Sequence, residues 1–362
     1  DMISETAQKG ITDIESLVAE LAPPDQDRFR RFFRIDTTVG ELRAPESMAG
    51  WINKNFGSVD RVASQKIVKI TNLLSLEGAL CNEVRASRPM DCKVNDEVRH
   101  IIENSVGDPF CKPAEGTPAD KFGRVEGKHS ITASNIAKYD GYHGLVIFED
   151  HNPLAINREA IRDYFETGFE WAHRAHQEDP EAKYYFFMWN CLWKSGASII
   201  HGHAQMTLTR GMHYPRVEAL RRIFRDYQQT YGNCYFGDLH QVHESLGLGW
   251  RWDGGVKGFA YLAPIKEKEV LLFAPEPGPP LYDAVHRVLE KYMALCSISF
   301  NLALYVPPLA QSEEDWSGFP AVVRIVDRGD PNNKTADVGA MELYAASVVS
   351  SDPFRVAEFM NS

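Results

Sequence analysis

One order of elements occurs twice along this 362-residue chain, and it constrains the fold more than any other feature. Residues 130–136 and 144–148 read as a strand pair, and residues 158–177 as an amphipathic helix through Ile161, Tyr164, Phe165, Phe169 and Trp171. Residues 184–189 and 201–208 read as two further strands. The order then recurs: strands at 258–263 and 270–273, a helix at 281–300, and strands at 303–306 and 321–326. Such a repeat points to duplication of one sheet-plus-helix unit. The expected fold is therefore α+β, with antiparallel sheets and helices packed on one side. The expected divisions are 1–105, an N-terminal extension with a ligand-contacting segment; 106–235, a catalytic half; and 236–362, a degenerate second half. The extension reads as helical, through Ile14, Leu17, Val18 and Leu21, then Phe29, Phe32 and Phe33 beyond a Pro23-Pro24 break, and again at 46–57 with Trp51 and Phe56.

The chemistry concentrates in the closing strands of the first copy. His201, His203 and Gln205 alternate with Gly202, Ala204 and Met206, so an extended backbone puts both imidazoles and the carboxamide on one face. By spacing alone, two histidines at i and i+2 suit a solvated face or a metal pair as well as a reactive site. Upstream, Asn190 precedes the small residues Gly196, Ala197 and Ser198, which leave room for a backbone to approach a large anion. A neutral imidazole is a competent nucleophile towards phosphorus near pH 7. Gln205 can donate to a phosphoryl oxygen without adding a titratable proton. The second copy carries Pro320-Ala321-Val322-Val323-Arg324-Ile325 at the corresponding place and so lacks a nucleophile. One half would catalyse while the other completes the structure or the pocket.

The run Asn190, Gly196-Ala197-Ser198 and His201-Gly202-His203-Ala204-Gln205 resembles the signature of the galactose-1-phosphate uridylyltransferase branch of the histidine-triad superfamily. That branch includes nucleotide-sugar and dinucleoside-polyphosphate phosphorylases, and the match is specific over about twenty residues. The resemblance implies duplicated histidine-triad-like units, with His203 as nucleophile and the main-chain carbonyl of His201 fixing its tautomer. Gln205 would hold the transferring phosphoryl group, and Asn190, Gly196, Ala197 and Ser198 would surround the phosphates. It implies a nucleotidyltransferase moving a nucleoside monophosphate from a nucleotide sugar to a sugar 1-phosphate through a nucleotidyl-histidine. The alternative is a phosphorylase of nucleotide sugars or dinucleotides that uses phosphate as acceptor; from another class, a non-catalytic nucleotide-binding protein would keep the fold without turnover.

Other segments extend the resemblance. Asn82-Glu83-Val84-Arg85-Ala86-Ser87-Arg88-Pro89 is similar to an entry in which two arginines reach the nucleotide, although Arg85 and Arg88 beside a proline also suit a solvated turn. Val338-Gly339-Ala340-Met341-Glu342 is similar to a segment that reaches the sugar, which makes Glu342 a candidate hydroxyl acceptor or, equally, a solvated helix carboxylate. Many relatives hold a structural zinc with Cys-x-x-Cys and two histidines. Here Cys111, His151 and His201 match three positions, while Ala114 stands where a second cysteine is sought; the alternatives are a weakened three-ligand zinc site and, the expectation here, loss of the zinc. The resemblance also implies a homodimer. His129, His143, His240 and His243 have no motif around them and read as surface or core residues.

Composition narrows the partners. A net charge of −11 and a pI near 5.6 give no surface for nucleic acid or an anionic membrane. No stretch approaches the roughly 18 apolar residues of a spanning helix. The six cysteines, Cys81, Cys92, Cys111, Cys191, Cys234 and Cys296, are scattered, and the first residues carry neither a basic nor a long apolar run. A reduced, cytoplasmic setting is expected.

Overall fold

The computed structural model describes residues 9–86 and 96–362. Both copies of the repeat form, and they join edge to edge into one nine-stranded sheet. The first copy contributes β4 (Ser130–Ser134), β5 (Tyr142–Phe148), the Arg158–Glu178 helix, β6 (Ala182–Asn190) and β7 (His203–Arg210). The second contributes β9 (Lys257–Ala260), β10 (Glu267–Ala274), the Pro279–Ala294 helix, β11 (Phe300–Tyr305) and β12 (Ala321–Asp327). A short β8 (Gly249–Arg251) adds the far edge, giving the order β4-β5-β7-β6-β11-β12-β10-β9-β8. Each copy runs in the same internal order outwards from a central seam, where β6 and β11 pair antiparallel with Asn190 opposite Asn301 and Met188 opposite Ala303. The expected α+β class with antiparallel sheets is what forms. The expected second helix overran: it ends at Ala294, and Phe300 already opens β11.

Helix packing divides the sheet into two faces. The Arg158–Glu178 helix is capped by Asn157, whose side chain accepts from the Ala160 N–H at 3.0 Å. It buries Ile161, Tyr164, Phe165, Trp171, Ala172 and Ala175 at helical spacing. The buried residues Ala204, Met206 and Leu208 of β7 belong to the same core as this stripe. The alternate residues of β7, His203 and Gln205, therefore point to the opposite face.

The front segment holds the expected helices, Ile14–Ala19, Pro23–Phe32 and Ala49–Phe56, but also strands that the helical reading did not foresee. β1 (Phe33–Glu41), β2 (Ser64–Asn72) and β3 (Gly78–Asn82) form an antiparallel meander, and β13 (Ser347–Val349) near the chain end joins β3 in parallel. This small sheet meets the second copy: the Tyr261 hydroxyl donates to Glu77 at 2.9 Å, and Arg324 of β12 pairs with Glu77 at 2.7 Å. Cys81, Cys111, Cys191 and Cys234 are free thiols. Among the described residues, no helix is long and apolar enough to cross a membrane.

Candidate active site

His203 opens β7 and is buried, and Phe110 lies edge-on to its ring at a centroid distance of 5.1 Å. Its Nδ1 lies 2.7 Å from the carbonyl oxygen of His201. A carbonyl only accepts, so Nδ1 carries the proton and Nε2 carries the lone pair. Burial lowers the pKa of His203 below its ordinary value, which keeps the ring neutral and its lone pair available. The backbone that sets this contact has no spare room. A Cβ built on Gly202 would sit 2.6 Å from the Phe148 ring, so only glycine fits between the two histidines.

Gln205 lies two residues further along the same face, and its Oε1 is 2.8 Å from Nε2 of His143 on β5. The other nitrogen of His143, Nδ1, accepts from the Tyr139 main-chain N–H at 3.0 Å. His143 is therefore an Nε2–H donor, and the Gln205 oxygen is taken. Asn190, at the end of β6, has its Oδ1 held by the Asn301 side-chain amide at 2.6 Å. The same Asn301 amide donates to the Ser195 carbonyl at 2.9 Å, and Arg328 donates to Asn301 Oδ1 at 2.7 Å.

The loop from Cys191 to Ser198 is fixed in an extreme conformation. Leu192 has φ 65° and Gly196 φ 100°, both in the left-handed region, and Leu192 is buried. Ser195 Oγ bridges the carbonyls of Cys191 and Leu192 at 2.7 and 2.8 Å, and Ala197 N–H returns to Leu192 at 3.2 Å. Gly196 and Ser198 are left exposed, while Ala197 is buried. The second copy braces this loop from outside: Trp193 Nε1 donates to Pro331 at 2.9 Å, and Lys194 to Asn333 at 2.8 Å.

Beneath His201 four donor groups converge: Asp108, Cys111, His151 and His201, with ligand atoms within 4.8 Å of one another. His201 Nε2 donates to the Phe148 carbonyl at 2.8 Å, and His151 Nε2 faces the Ile102 carbonyl at 3.0 Å. Each ring thus turns an unprotonated Nδ1 inwards, and these two nitrogens stand 3.1 Å apart. Cys111 Sγ is 3.3 Å from His151 and 3.5 Å from His201, and the buried Oδ2 of Asp108 has no hydrogen-bond partner among the described residues. With both outer nitrogens directed at carbonyls, these four inward-facing groups are of the kind that can hold a metal ion. The fourth donor in space is Asp108, three residues before Cys111, and not Ala114, where the resemblance places a cysteine.

Among the described residues, the remaining sequence candidates make no contact with His203. Arg85 is exposed on the short Glu83–Ala86 helix, and Arg88 lies outside the described residues. Glu342 caps its own helix, accepting from Gly339 N–H at 2.9 Å, so its carboxylate is committed locally. His240 and His243 are core residues, as read, but His143 is not a bystander.

No protein-family model and no curated protein matches the sequence. Solved structures do match. The chain is similar to an ADP-glucose phosphorylase from Arabidopsis thaliana with bound ADP-glucose, with a TM-score of 0.62 and 16% identity over 81% of this chain and 97% of that one. It is also similar to a GalT-like protein from Arabidopsis thaliana, with a TM-score of 0.54 and 18% identity over 70% of this chain and 91% of that one. A uridylyltransferase matches with a TM-score of 0.54 and 16% identity over 67% and 87%. The chain has the fold of these three structures. Gln205, Met188, Ala303 and Arg324 lie opposite one another in succession across β7, β6, β11 and β12. Arg324 thus holds in the second copy the position that Gln205 holds in the first, and it is locked between Glu269 and Glu77, each at 2.7 Å.

Proposed function

We propose that this chain is a nucleotidyltransferase that works through a nucleotidyl-histidine at His203. The observation that carries the reading is the 2.7 Å hydrogen bond from Nδ1 of His203 to the His201 carbonyl, which leaves Nε2 as the only reactive nitrogen. In the first step Nε2 attacks the α-phosphorus of a nucleotide sugar. The bond between that phosphorus and the bridging oxygen breaks, and the sugar 1-phosphate leaves with the oxygen. In the second step a phosphate oxygen of the acceptor attacks the same phosphorus, the P–N bond breaks and His203 is regenerated. Developing negative charge on the transferring group would be met by the amino groups of Gln205 and Asn190 and by Ser198. Among the described residues, no side chain beside His203 is placed to deliver a proton to a leaving group, which favours phosphate leaving groups and acceptors over hydrolysis.

A sugar 1-phosphate is the first acceptor we propose. Inorganic phosphate is the second, because the similarity to an ADP-glucose phosphorylase spans nearly all of that chain. Asp108, Cys111, His151 and His201 would hold a zinc ion, which when bound would fix the His201 ring and so the carbonyl that orients His203. The exposed apolar side chains of Val338, Met341, Leu343 and Tyr344 support the homodimer that the resemblance implies. His203→Gly tests the reading: turnover of nucleotide sugar with either acceptor should fall by several orders of magnitude while nucleotide binding persists. Unchanged turnover would remove the covalent route.

A further inference from the structure

We infer that His143 and Asn301 are positioning residues that fix both carboxamides of the site, Gln205 and Asn190, as hydrogen-bond donors towards an anionic phosphoryl group. A carboxamide presents an acceptor on one side and two donors on the other, and a free side chain can flip between them. Here neither can. His143, with Nδ1 engaged by the Tyr139 N–H, has its only proton on Nε2 and gives it to Gln205 Oε1 at 2.8 Å. The Tyr139 ring stacks on one face of His143 with a centroid distance of 4.4 Å, and His143 is fully buried, so the imidazole is held in place. On the other side of His203, Asn301 Nδ2 gives its protons to Asn190 Oδ1 at 2.6 Å and to the Ser195 carbonyl at 2.9 Å.

Asn301 is itself oriented. Its oxygen accepts from Arg328 at 2.7 Å, and Arg328 is held by Asp337 at 2.8 and 2.9 Å, so the amide of Asn301 can point only one way. The consequence is the same at both ends. Each carboxamide oxygen is consumed, each amino group is left without a partner among the described residues, and both lie on the sheet face that carries His203. An amino group suits the non-bridging oxygens of a phosphoryl group and repels a cationic or donor ligand. Reversal of either amide would set an oxygen against a phosphate oxygen, so fixing the flip is worth more than the hydrogen bond alone. Asn301 and Arg328 come from the second copy, so the half without a nucleophile takes part by orienting Asn190 and the Ser195 loop. This inference rests on the proposed nucleophilic role of His203.

Single-turnover labelling of His203 by ADP-glucose and UDP-glucose, followed by intact-protein mass, tests it in the full chain. His143→Leu and Asn301→Asp should each slow adduct formation by about 10- to 100-fold at saturating nucleotide sugar, with the half-saturating concentration little changed. His143→Gln keeps a donor to Gln205 and should recover most of the rate. In a Gln205→Ala background, His143→Leu should add no further loss, because its effect runs through that amide. Near-UV circular dichroism reports the folded fraction, and rates are referred to it. Normal labelling by folded His143→Leu and Asn301→Asp, or a full additive loss in the Gln205→Ala background, would overturn the inference while leaving the nucleophile reading intact. Absence of any adduct in the unsubstituted chain would overturn the nucleophile reading and this inference with it.

Discussion

At the scale of the residue, the site depends on where single protons sit. His203 has one proton, and the His201 carbonyl takes it; that carbonyl is in turn anchored by a ring whose Nδ1 faces Asp108, Cys111 and His151. Two inward-facing nitrogens 3.1 Å apart beside a thiol and a carboxylate form a donor set that a divalent cation would fit. Metal analysis of the purified protein should therefore find one zinc per chain. Cys111→Ala and Asp108→Ala should each lose the metal and lower the thermal midpoint; a metal-free protein whose midpoint is indifferent to chelator would contradict this. The residues of this cluster were unequally legible in the sequence. His201, His203 and Gln205 share one strand, so their common face follows from a period of two. Asp108 keeps the two-residue spacing before Cys111 that a Cys-x-x-Cys pair would have, but a search for sulfur passes over it. His143 could not be found by motif, since its contact with Gln205 is made by the register of β5 on β7 and by the turn that carries Tyr139.

At the scale of the element, the repeat was legible because both copies alternate apolar strands with an apolar-striped helix. The front meander was not. β1 reads Phe33-Arg34-Ile35-Asp36-Thr37-Thr38-Val39-Gly40-Glu41, with only Phe33 fully buried, so it has no strong alternation and forms by pairing with β2. Its neighbour Glu77, in the turn between β2 and β3, closes over Arg324 in the second copy. The buried carboxylate of Glu269 has its pKa raised by desolvation, with Arg324 as the opposing influence. Removing the guanidinium would leave two carboxylates without their counter-charge. Arg324→Leu should therefore destabilise the chain by about 3–5 kcal/mol in denaturant titration. It should leave labelling of His203 in the folded fraction close to normal, because Arg324 ties the second copy to the small sheet. A loss under about 1 kcal/mol, on the scale of an exposed pair, would show that the small sheet does not depend on this contact.

At the scale of the whole molecule, buried neutral histidines tie stability to pH. His213 accepts from the Tyr214 N–H at 2.8 Å and faces the Tyr185 carbonyl at 3.2 Å; His243 does the same between Leu262 N–H at 3.1 Å and the Leu239 carbonyl at 2.7 Å. Only a neutral ring satisfies both partners. Burial pushes the pKa of His213 down to about 4 and that of His243 down to about 3. The unfolded chain titrates its histidines near 6.5, so between that value and the folded ones the unfolded state binds more protons, and stability falls as pH is lowered. Each histidine should remove roughly 2 kcal/mol between pH 6.5 and 5, read as a falling midpoint in urea titrations, and a flat profile across that window would contradict it. The central claim concerns the chain as a whole and is tested by its mass. Brief incubation with UDP-, GDP-, ADP- and dTDP-sugars, then intact-protein mass spectrometry and peptide mapping, should show a gain of one nucleoside monophosphate on the peptide carrying His203. No gain with any donor, under conditions where the nucleotide sugar raises the thermal midpoint, would contradict covalent transfer and leave a protein that binds nucleotides without turning them over.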